Sequence, residues 1–297
     1  MTLNLHLLRI FYTVVEKQSF SLAAKTLFIS QPAVSKAVKE LEHLLSFNLI
    51  ERGQSRNQII LTQLGQRLFE HARGIFALEK AALEEIDAIC AVNTGKLTIG
   101  ASTTVAAYCL AELIKQFNQI SPSVQICLKV GNTQQVTNWL IDCELDIAFV
   151  EGEVNDPRLK LEPWQTDELI IVAPINFNQH AEQSFEQLKQ ANWIMREKGS
   201  GTREWNTQIL AQLNLLPQHI IEMGSSESII QAVRSGLGVA ILPKVVAKDG
   251  LTLGEIVQIE LSPSEHFYRP LYQLKHLDRP LSPAATAFEE LAQKTTL

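Results

Sequence analysis

The chain has 297 residues, 46% of them apolar and 20% charged, with 14 Gly and 11 Pro. At roughly 100–200 residues per domain that is about two domains, and the composition excludes disordered and fibrous classes. The net charge of −6 hides an asymmetry, since residues 1–60 carry +3 and the rest −9, so a basic binding module is expected at the amino end.

Asn4 is placed to cap a first helix whose apolar stripe is Leu7, Leu8, Phe11, Val14 and Val15. After Ser19 and Ser21 a short helix over SLAAKTL is predicted, with Ala23 and Ala24 small enough for close helix approach. FISQPAVSKAVKELEHLL follows, with Ser30 as N-cap and Pro32 in the first turn, where its missing N–H costs nothing. Val34, Val38, Leu41 and Leu45 form the buried face of this helix. Lys36, Lys39 and His43 run down the other side, with Gln31 and Ser35 near the start. Such a helix suits base-edge and phosphate contacts in a major groove, because Gln pairs with adenine and Lys reaches guanine or phosphate. The apolar runs LIE and QIILT around a Gly/Ser/Asn turn predict a hairpin that carries Arg52 and Arg56 towards DNA, completing a winged helix-turn-helix.

The block AAKTLFISQPAVSKAVKELEHLLSFNLIERGQSRNQIILTQLGQRLFEHA resembles the amino-terminal domain of LysR-type transcriptional regulators. The resemblance implies DNA contacts from Gln31, Ser35 and Lys36, with Arg52 and Thr62 near the backbone, and the residue reading adds Ser30, Pro32, Lys39 and Arg56 to the expected DNA-binding set. Lys36 stands where the family more often has Arg, which keeps a phosphate contact but weakens a bidentate guanine contact. Ile50 stands where Phe is commoner, and Gln63-Leu64 where an acidic residue and Ala usually precede the Gly.

Thr62 is also placed to cap a long helix to about Val92. Leu68, Ile75, Ala82 and Ile89 recur every seven residues, with Ala72 and Ile86 between them, as in a coiled-coil seam interrupted by Glu79. The pattern fits self-association, or a helix lying on its own protein. A reader of two half-sites needs a partner, which favours a dimer, and the resemblance implies a dimer or tetramer.

From Lys96 onward the period changes. LTIGA, VQICLKV, DIAFV, ELIIVAP, WIM and GVAILP read as strands, alternating with helix-length stretches, so a parallel α/β sheet with ligands at strand carboxyl ends is expected. Hydroxyl and glycine residues gather at those junctions: Ser102-Thr103-Thr104, Gly131-Asn132-Thr133, Ser200-Gly201-Thr202-Arg203 and Gly224-Ser225-Ser226. Free N–H groups and hydroxyls at several helix starts suit a small anion, with Arg203 and Lys198 as balancing charges. The LysR-type resemblance continues here more loosely. It implies a periplasmic-binding-protein-like effector domain whose two subdomains, 96–163 with 268–297 and 164–267, join near 162–167 and 265–269. The expected organisation is a winged helix-turn-helix over 1–61, a linker helix over 62–92 and this domain over 96–297. VGNTQQV and KGSGTR look like the subgroup with regulators of sulfite reduction and carbon fixation, implying a sulfur oxyanion or a phosphorylated or carboxylate metabolite.

The overall expectation is a cytoplasmic, ligand-gated DNA-binding regulator whose partners are double-stranded operator DNA, a small anionic effector, further copies of itself and RNA polymerase. The longest run without Asp, Glu, Lys or Arg is 17 residues, short of the ~20 apolar residues of a spanning helix, and the amino end lacks signal-peptide features, so no membrane partner is expected. Enzymatic chemistry is not expected: G-x-S-x-G, Walker A and H-E-x-x-H motifs are absent and the seven His are scattered. Neither metal nor cofactor is expected. An alternative keeps DNA binding but makes the signal redox, through Cys109, Cys127 or Cys143. The apolar neighbours of Cys90, Cys109 and Cys127 point instead to buried, inert thiols. A regulator with no small-molecule effector is the remaining alternative.

Overall fold

Helix α1 (Leu5–Lys17) starts where Asn4 Oδ1 accepts the His6 and Leu7 amides at 3.0 and 3.2 Å. The structure, a computed structural model, describes residues 2–51, 59–90, 95–177, 181–261 and 266–295, and divides into two compact units, 1–84 and 85–297.

In the first unit α2 (Phe20–Leu27) is capped by Ser19, and α3 (Gln31–Leu45) by Ser30 with Pro32 in its first turn. Val34, Val38 and Leu41 of α3 are buried against Leu8, Phe11 and Val14 of α1, while Leu45 is half-buried at the edge of the same core. Glu42 is buried on α3 and its carboxylate accepts the Leu49 and Ile50 amides at 2.8 and 3.3 Å, so the recognition-type helix carries the strand that follows it. Ile50 and Leu61 form an antiparallel bridge, and Glu51 N–H donates to Ile60 O, which closes the base of the expected hairpin. Its tip, with Arg52 and Arg56, lies outside the described residues.

Helix α4 (Gln63–Cys90) begins where Thr62 Oγ1 accepts the Gly65 amide at 3.0 Å. Gly65 is pressed onto Leu49, and a Cβ there would sit 2.0 Å from the Leu49 carbonyl oxygen, so no side chain fits. The heptad expectation needs correction in its first half. Ala72 is buried in the first unit's core beside Phe69 and Phe76, and Leu68 and Ile75 pack against it. Those positions serve the chain's own core. Further along, Leu78, Leu83 and Ile86 are exposed.

The second unit is a mixed sheet, which corrects the parallel one expected. Strands β1 (Lys96–Ser102), β2 (Gln125–Gly131) and β3 (Ile147–Val150) are parallel, with β1 central. The long β4 (Leu159–Pro174) and β9 (Phe267–His276) pair antiparallel along ten residues of each, with a register shift between Pro163 and Gln165. The far end of β9 meets β3, and the far end of β4 meets β7 (Ala240–Pro243) and β8 (Ile256–Ile259). A separate parallel pair, β5 (Asn192–Arg196) and β6 (His219–Met223), touches Val239 beside β7 through Trp193. The sheet is mixed because β4 and β9 run through both halves of the unit in opposite directions. A residue-by-residue strand pattern cannot reveal that direction.

One half holds β1–β3 with α5 (Thr103–Tyr108), α6 (Leu110–Ile120), α7 (Thr133–Ile141) and α12 (Pro283–Lys294). Its cores include Leu97, Ile99, Phe117, Phe149 and Phe288, with Val136 and Leu140 on the other face. The other half holds β5–β8 with α8 (Ala181–Gln190), α9 (Gly201–Gln212), α10 (Ser226–Arg234) and α11 (Lys244–Thr252). Its cores centre on Trp193, Ile209 and Ile241, and on Ile194, Ile230 and Val233. Among the described residues no helix is long and apolar enough to cross a membrane.

Candidate functional site

Two regions gather the residues singled out in the sequence. On α3, Gln31, Pro32, Lys36 and Lys39 are exposed and Ser35 is half-buried. Ser30 is occupied as the cap, its Oγ accepting the Ala33 amide at 3.4 Å. Gln31 Nε2 donates to Ser35 Oγ at 3.3 Å, one turn on, so the two polar side chains stand together at the amino end of the helix. Phe28, in the turn before α3, has a left-handed backbone (φ 54°) and is 94% exposed. Thr62 is the exception on this face. Its hydroxyl donates its one proton to Asn48 O at 2.8 Å, and its N–H goes to Leu49 O at 3.0 Å. A phosphate oxygen would have to take over the proton that Asn48 O accepts here. Within the chain, Thr62 thus ties the residues before the wing to α4.

The second region is the seam between the halves of the second unit, where strand carboxyl ends meet helix amino ends. Ser102 is buried and caps α5, accepting the Val105 amide at 3.3 Å. Thr103 accepts from Arg196 Nη1 at 2.8 Å, and Thr104 shares a 3.0 Å hydrogen bond with Ser226. Asn132 caps α7 and donates through Nδ2 to Glu197 Oε1 at 3.2 Å. Thr133 Oγ1 accepts the Gly201 amide at 3.1 Å, beside a backbone bond from Gln134 N–H to Gly199 O at 3.0 Å. Gly201 lies against Gly152, where a Cβ would come within 2.5 Å of the backbone nitrogen, so the halves meet backbone to backbone. Thr202 is fully buried, donating to Glu151 Oε1 at 2.9 Å and accepting from Arg269 Nη1 at 2.9 Å. Trp205 Nε1 donates to Glu151 O, and Tyr108 donates to Glu227 at 3.0 Å.

Nine of the ten sequence-predicted residues therefore lie at or beside one seam: Ser102, Thr103, Thr104, Asn132, Thr133, Ser200, Gly201, Thr202 and Arg203. Ser225 does not. Its side chain caps α10 and pairs with Ser228 of its own helix, while the next residue, Ser226, is the one buried against Thr104. The cap position turns its hydroxyl back to its own helix, and the following side chain faces outward to the other half. Arg203 reaches Arg196 O at 2.6 Å and Glu222 at 2.9 Å, so its charge is already paired. Beside it, Lys198, Gly199, Ser200, Glu204 and Thr207 line an open depression of about 410 Å³.

The electrostatics rest on residues that sequence reading missed. Arg196 and Arg269 are buried, paired with Glu197 and Asp167. Burial pushes the Asp167 carboxyl up despite Arg269, and the Glu151 charge adds to the rise. Burial also raises the Glu204 carboxyl, with Glu151 and Glu153 contributing. Among the described residues, Glu151 Oε2 and Ser200 Oγ are buried without a hydrogen-bond partner. No group of three or more His, Cys, Asp and Glu among them is placed to hold a metal ion.

The cysteines are also partly redrawn. Cys143 is buried, but Cys127, on the edge strand β2, is exposed. Cys109 is half-buried and its thiol is pushed up to about 12, first by burial and then by the Asp167 charge. The Cys90 side chain lies outside the described ones.

Comparison with known proteins agrees with this layout. Residues 5–66 match the family model of the bacterial regulatory helix-turn-helix protein, lysR family, and residues 91–296 match the LysR substrate binding domain. Relatives include the uncharacterized HTH-type transcriptional regulator YeiE of Escherichia coli (strain K12), 34% identical over 97% of this chain and 96% of its own length. CysL of Bacillus subtilis (strain 168) is 34% identical over 84% of this chain and 83% of its length. CbbR of Rhodospirillum rubrum is 31% identical over 98% and 97%. Among solved structures, a full-length OxyR variant from Pseudomonas aeruginosa shares the fold at TM-score 0.69 and 24% identity, covering 98% of this chain and 94% of that one. LysG of Corynebacterium glutamicum, with bound effector Arg, does so at 0.68 and 17%, covering 98% and 97%. CbnR in complex with its target DNA does so at 0.64 and 19%, covering 98% and 99%.

Proposed function

We propose that this chain, which belongs to the LysR family of DNA-binding transcriptional regulators, is a cytoplasmic sensor whose second unit takes a small anion in the seam between its halves. Membership in that family makes it a regulator and not an enzyme, with a domain of the kind that binds small effectors. The observation that carries the anion is the chemistry of the seam. Hydroxyls of Thr103, Thr104, Thr133 and Ser200 gather there at the amino ends of α7, α9 and α10, with the buried Arg196 donating to Thr103, while the Thr202 proton is committed to Glu151. Hydroxyls, helix amino ends and a guanidinium are donors, and donors in a dry crevice favour an acceptor-rich, negatively charged guest. The likeness of VGNTQQV and KGSGTR to the subgroup with regulators of sulfite reduction and carbon fixation supports a sulfur oxyanion or a phosphorylated or carboxylate metabolite as that guest.

Operator DNA is read by the exposed end of α3: Gln31 and Ser35 address base edges, while Lys36 and Lys39 hold phosphates. Leu78, Leu83 and Ile86 on α4 form the surface through which copies associate into dimers or tetramers. RNA polymerase is the further partner that a regulator acting at promoters would meet. An effector changes DNA binding only if it favours one arrangement of the halves over the other. A redox signal is less well supported, because a thiol held up by burial stays protonated and unreactive near neutrality.

A thermal-shift screen of the full chain against sulfite, sulfate, thiosulfate, phosphosugars and dicarboxylates tests the reading. An anion at a hundred times its Kd adds about 2.7 kcal/mol of stability, which raises the melting temperature. Thr133→Ala removes the acceptor of the Gly201 amide, so it should abolish the response to a stabilising anion while operator binding without effector survives. A full response in that variant, or no stabilisation of the wild type by any anion, rejects the seam as the effector site.

A further inference from the structure

We propose that Arg196 is the residue that grips the effector's anionic group, and that in the free protein the carboxylate of Glu197 holds that position as an internal stand-in. The inference rests on the reading that the effector is an anion. It deepens that reading by naming the cation that binds it and the group it must displace.

The geometry is that of an occupied carboxylate site. Arg196 stands at the last position of β5, where the chain enters the loop to α9. Its guanidinium makes the two-point fork that matches a carboxylate: Nε donates to Glu197 Oε2 and Nη2 to Glu197 Oε1, both at 2.8 Å. The third direction, Nη1, donates at 2.8 Å to Thr103 Oγ1, which belongs to the other half. Asn132 Nδ2, also from the other half, donates to the same Glu197 Oε1 at 3.2 Å. One carboxylate is thus bound by donors from both sides of the seam. A carboxylate, or two oxygens of a tetrahedral oxyanion, supplied by a ligand would satisfy the same donors.

The two partners are not equally fixed. The Arg196 side chain is 1% exposed and that of Glu197 is 25% exposed, so the acid sits on the solvent side of the pair. Arg203 Nη1 donates to Arg196 O at 2.6 Å and is itself anchored to Glu222, which holds the arginine's backbone in place. Rotation of one side chain takes Glu197 into water, while Arg196 has nowhere to go. Electrostatics require that such a site be filled. A buried guanidinium without a counter-charge is strongly unfavourable, so exchange of one anion for another is the route by which Arg196 meets a ligand. Burial alone would raise the Glu197 carboxyl, but the hydrogen bonds from Arg196, helped by Asn132, hold it below the usual range. The stand-in is therefore ionised at neutral pH and competes as an anion. Competition of this kind lowers apparent affinity by the fraction of time the site is free, which sets the effector concentration at which the regulator responds.

The test is isothermal titration of the full chain with sulfite, thiosulfate, inorganic phosphate and succinate, on wild type, Glu197→Gln and Arg196→Lys. Glu197→Gln keeps the shape but loses the charge and one acceptor, so the anion that binds wild type should bind at least tenfold tighter. Arg196→Lys keeps the charge but loses the fork, and binding should weaken at least tenfold. Circular dichroism and a cooperative melt check that each variant folds. If Glu197→Gln fails to fold, Glu197→Asp, whose carboxylate is drawn back by one methylene, should give a smaller gain of the same sign. Wild-type binding that is unchanged or weakened in the folded Glu197 variant overturns the stand-in and leaves the anionic-effector reading intact. Wild-type binding that survives Arg196→Lys unchanged overturns the assignment of the grip. Binding of no probe by wild type or by the Glu197 variant overturns both the reading and the inference. Binding by the Glu197 variant alone supports both.

Discussion

The two candidate sites present their polar groups in opposite ways. On α3 the amide of Gln31 and the ammonium groups of Lys36 and Lys39 stand in solvent, and within the fold they do little beyond one bond from Gln31 to Ser35. At the seam Thr104, Thr202, Arg196 and Arg269 are buried and paired, Thr104 with Ser226, Arg196 with Thr103 and Arg269 with Thr202. A surface that meets a large, preformed partner can keep its donors in water, since the partner brings the acceptors and a long-range field. A site for a small guest pairs most of its dry donors internally and exchanges partners on binding, and at this seam the buried Ser200 Oγ is a hydroxyl left over for the guest. Substitution should therefore separate the two: at the seam it costs stability, and on α3 it costs only affinity.

The largest expected effect breaks the seam side of this contrast. Arg269 is fully buried, holds Asp167 with two nitrogens at 3.0 and 2.8 Å and passes a third bond to Thr202. Arg269→Ala leaves Asp167 buried without its counter-charge, in a place where burial and Glu151 already push its carboxyl up. Removing one partner of a buried ion pair costs about 3–5 kcal/mol. Denaturant unfolding followed by the tryptophans at 164, 193 and 205 should show a loss of that order. A loss below about 1 kcal/mol would mean that the seam is wetter and looser than its burial implies.

The next effect belongs to the recognition helix and should appear only in binding. Gln31→Ala and Lys36→Ala should each change unfolding free energy by less than about 0.5 kcal/mol, as exposed positions do. Operator affinity should fall by about 1–3 kcal/mol for Gln31→Ala, and mostly at one base position. Lys36→Ala should weaken binding to all sequences and reduce the slope of log K against log salt by about one. Filter binding or fluorescence anisotropy across a salt series reads both. Unchanged affinity in both variants would remove α3 as the reading helix.

Legibility in the sequence follows the same divide. What is local can be read. Asn4, Ser30 with Pro32, and Thr62 mark helix starts because a cap and the amides it accepts lie within three residues. The seam hydroxyls can be found because each is also a junction residue. What depends on distant partners cannot be read. Nothing near Arg196 says that a strand-end arginine will meet Thr103, and nothing near Glu151 predicts Thr202. Ser225 and Ser226 differ only in which way the first turn of α10 aims each hydroxyl. Cys127 sits in an apolar run, yet it is exposed, since what covers each face of β2 is set by distant elements. The heptads of α4 are visible, but whether Ala72 faces a second copy or Phe69 and Phe76 of its own core is a tertiary fact. A buried residue inside a helix face looks the same in either case.

The smallest effect sharpens the contrast within the seam itself. Glu204, in the first turn of α9, is exposed, yet burial raises its carboxyl, and Glu151 and Glu153 raise it further. An acid whose folded pKa lies above its unfolded one binds its proton more tightly when folded. Stability then falls as pH climbs from the unfolded value, about 4.3 for Glu, through the folded one, and stays lower above it. Glu204→Gln removes that loss, so the variant should be more stable than wild type at pH 7 and equal to it below pH 4. Water screens a group this exposed, and the gain should stay within about 0.5 kcal/mol. Melting curves at pH 4, 5.5 and 7 should therefore diverge upward for the variant as pH rises. Curves that run parallel would mean that Glu151 and Glu153 do not reach Glu204, and that the acidic side of the seam is electrostatically separate from the depression beside α9.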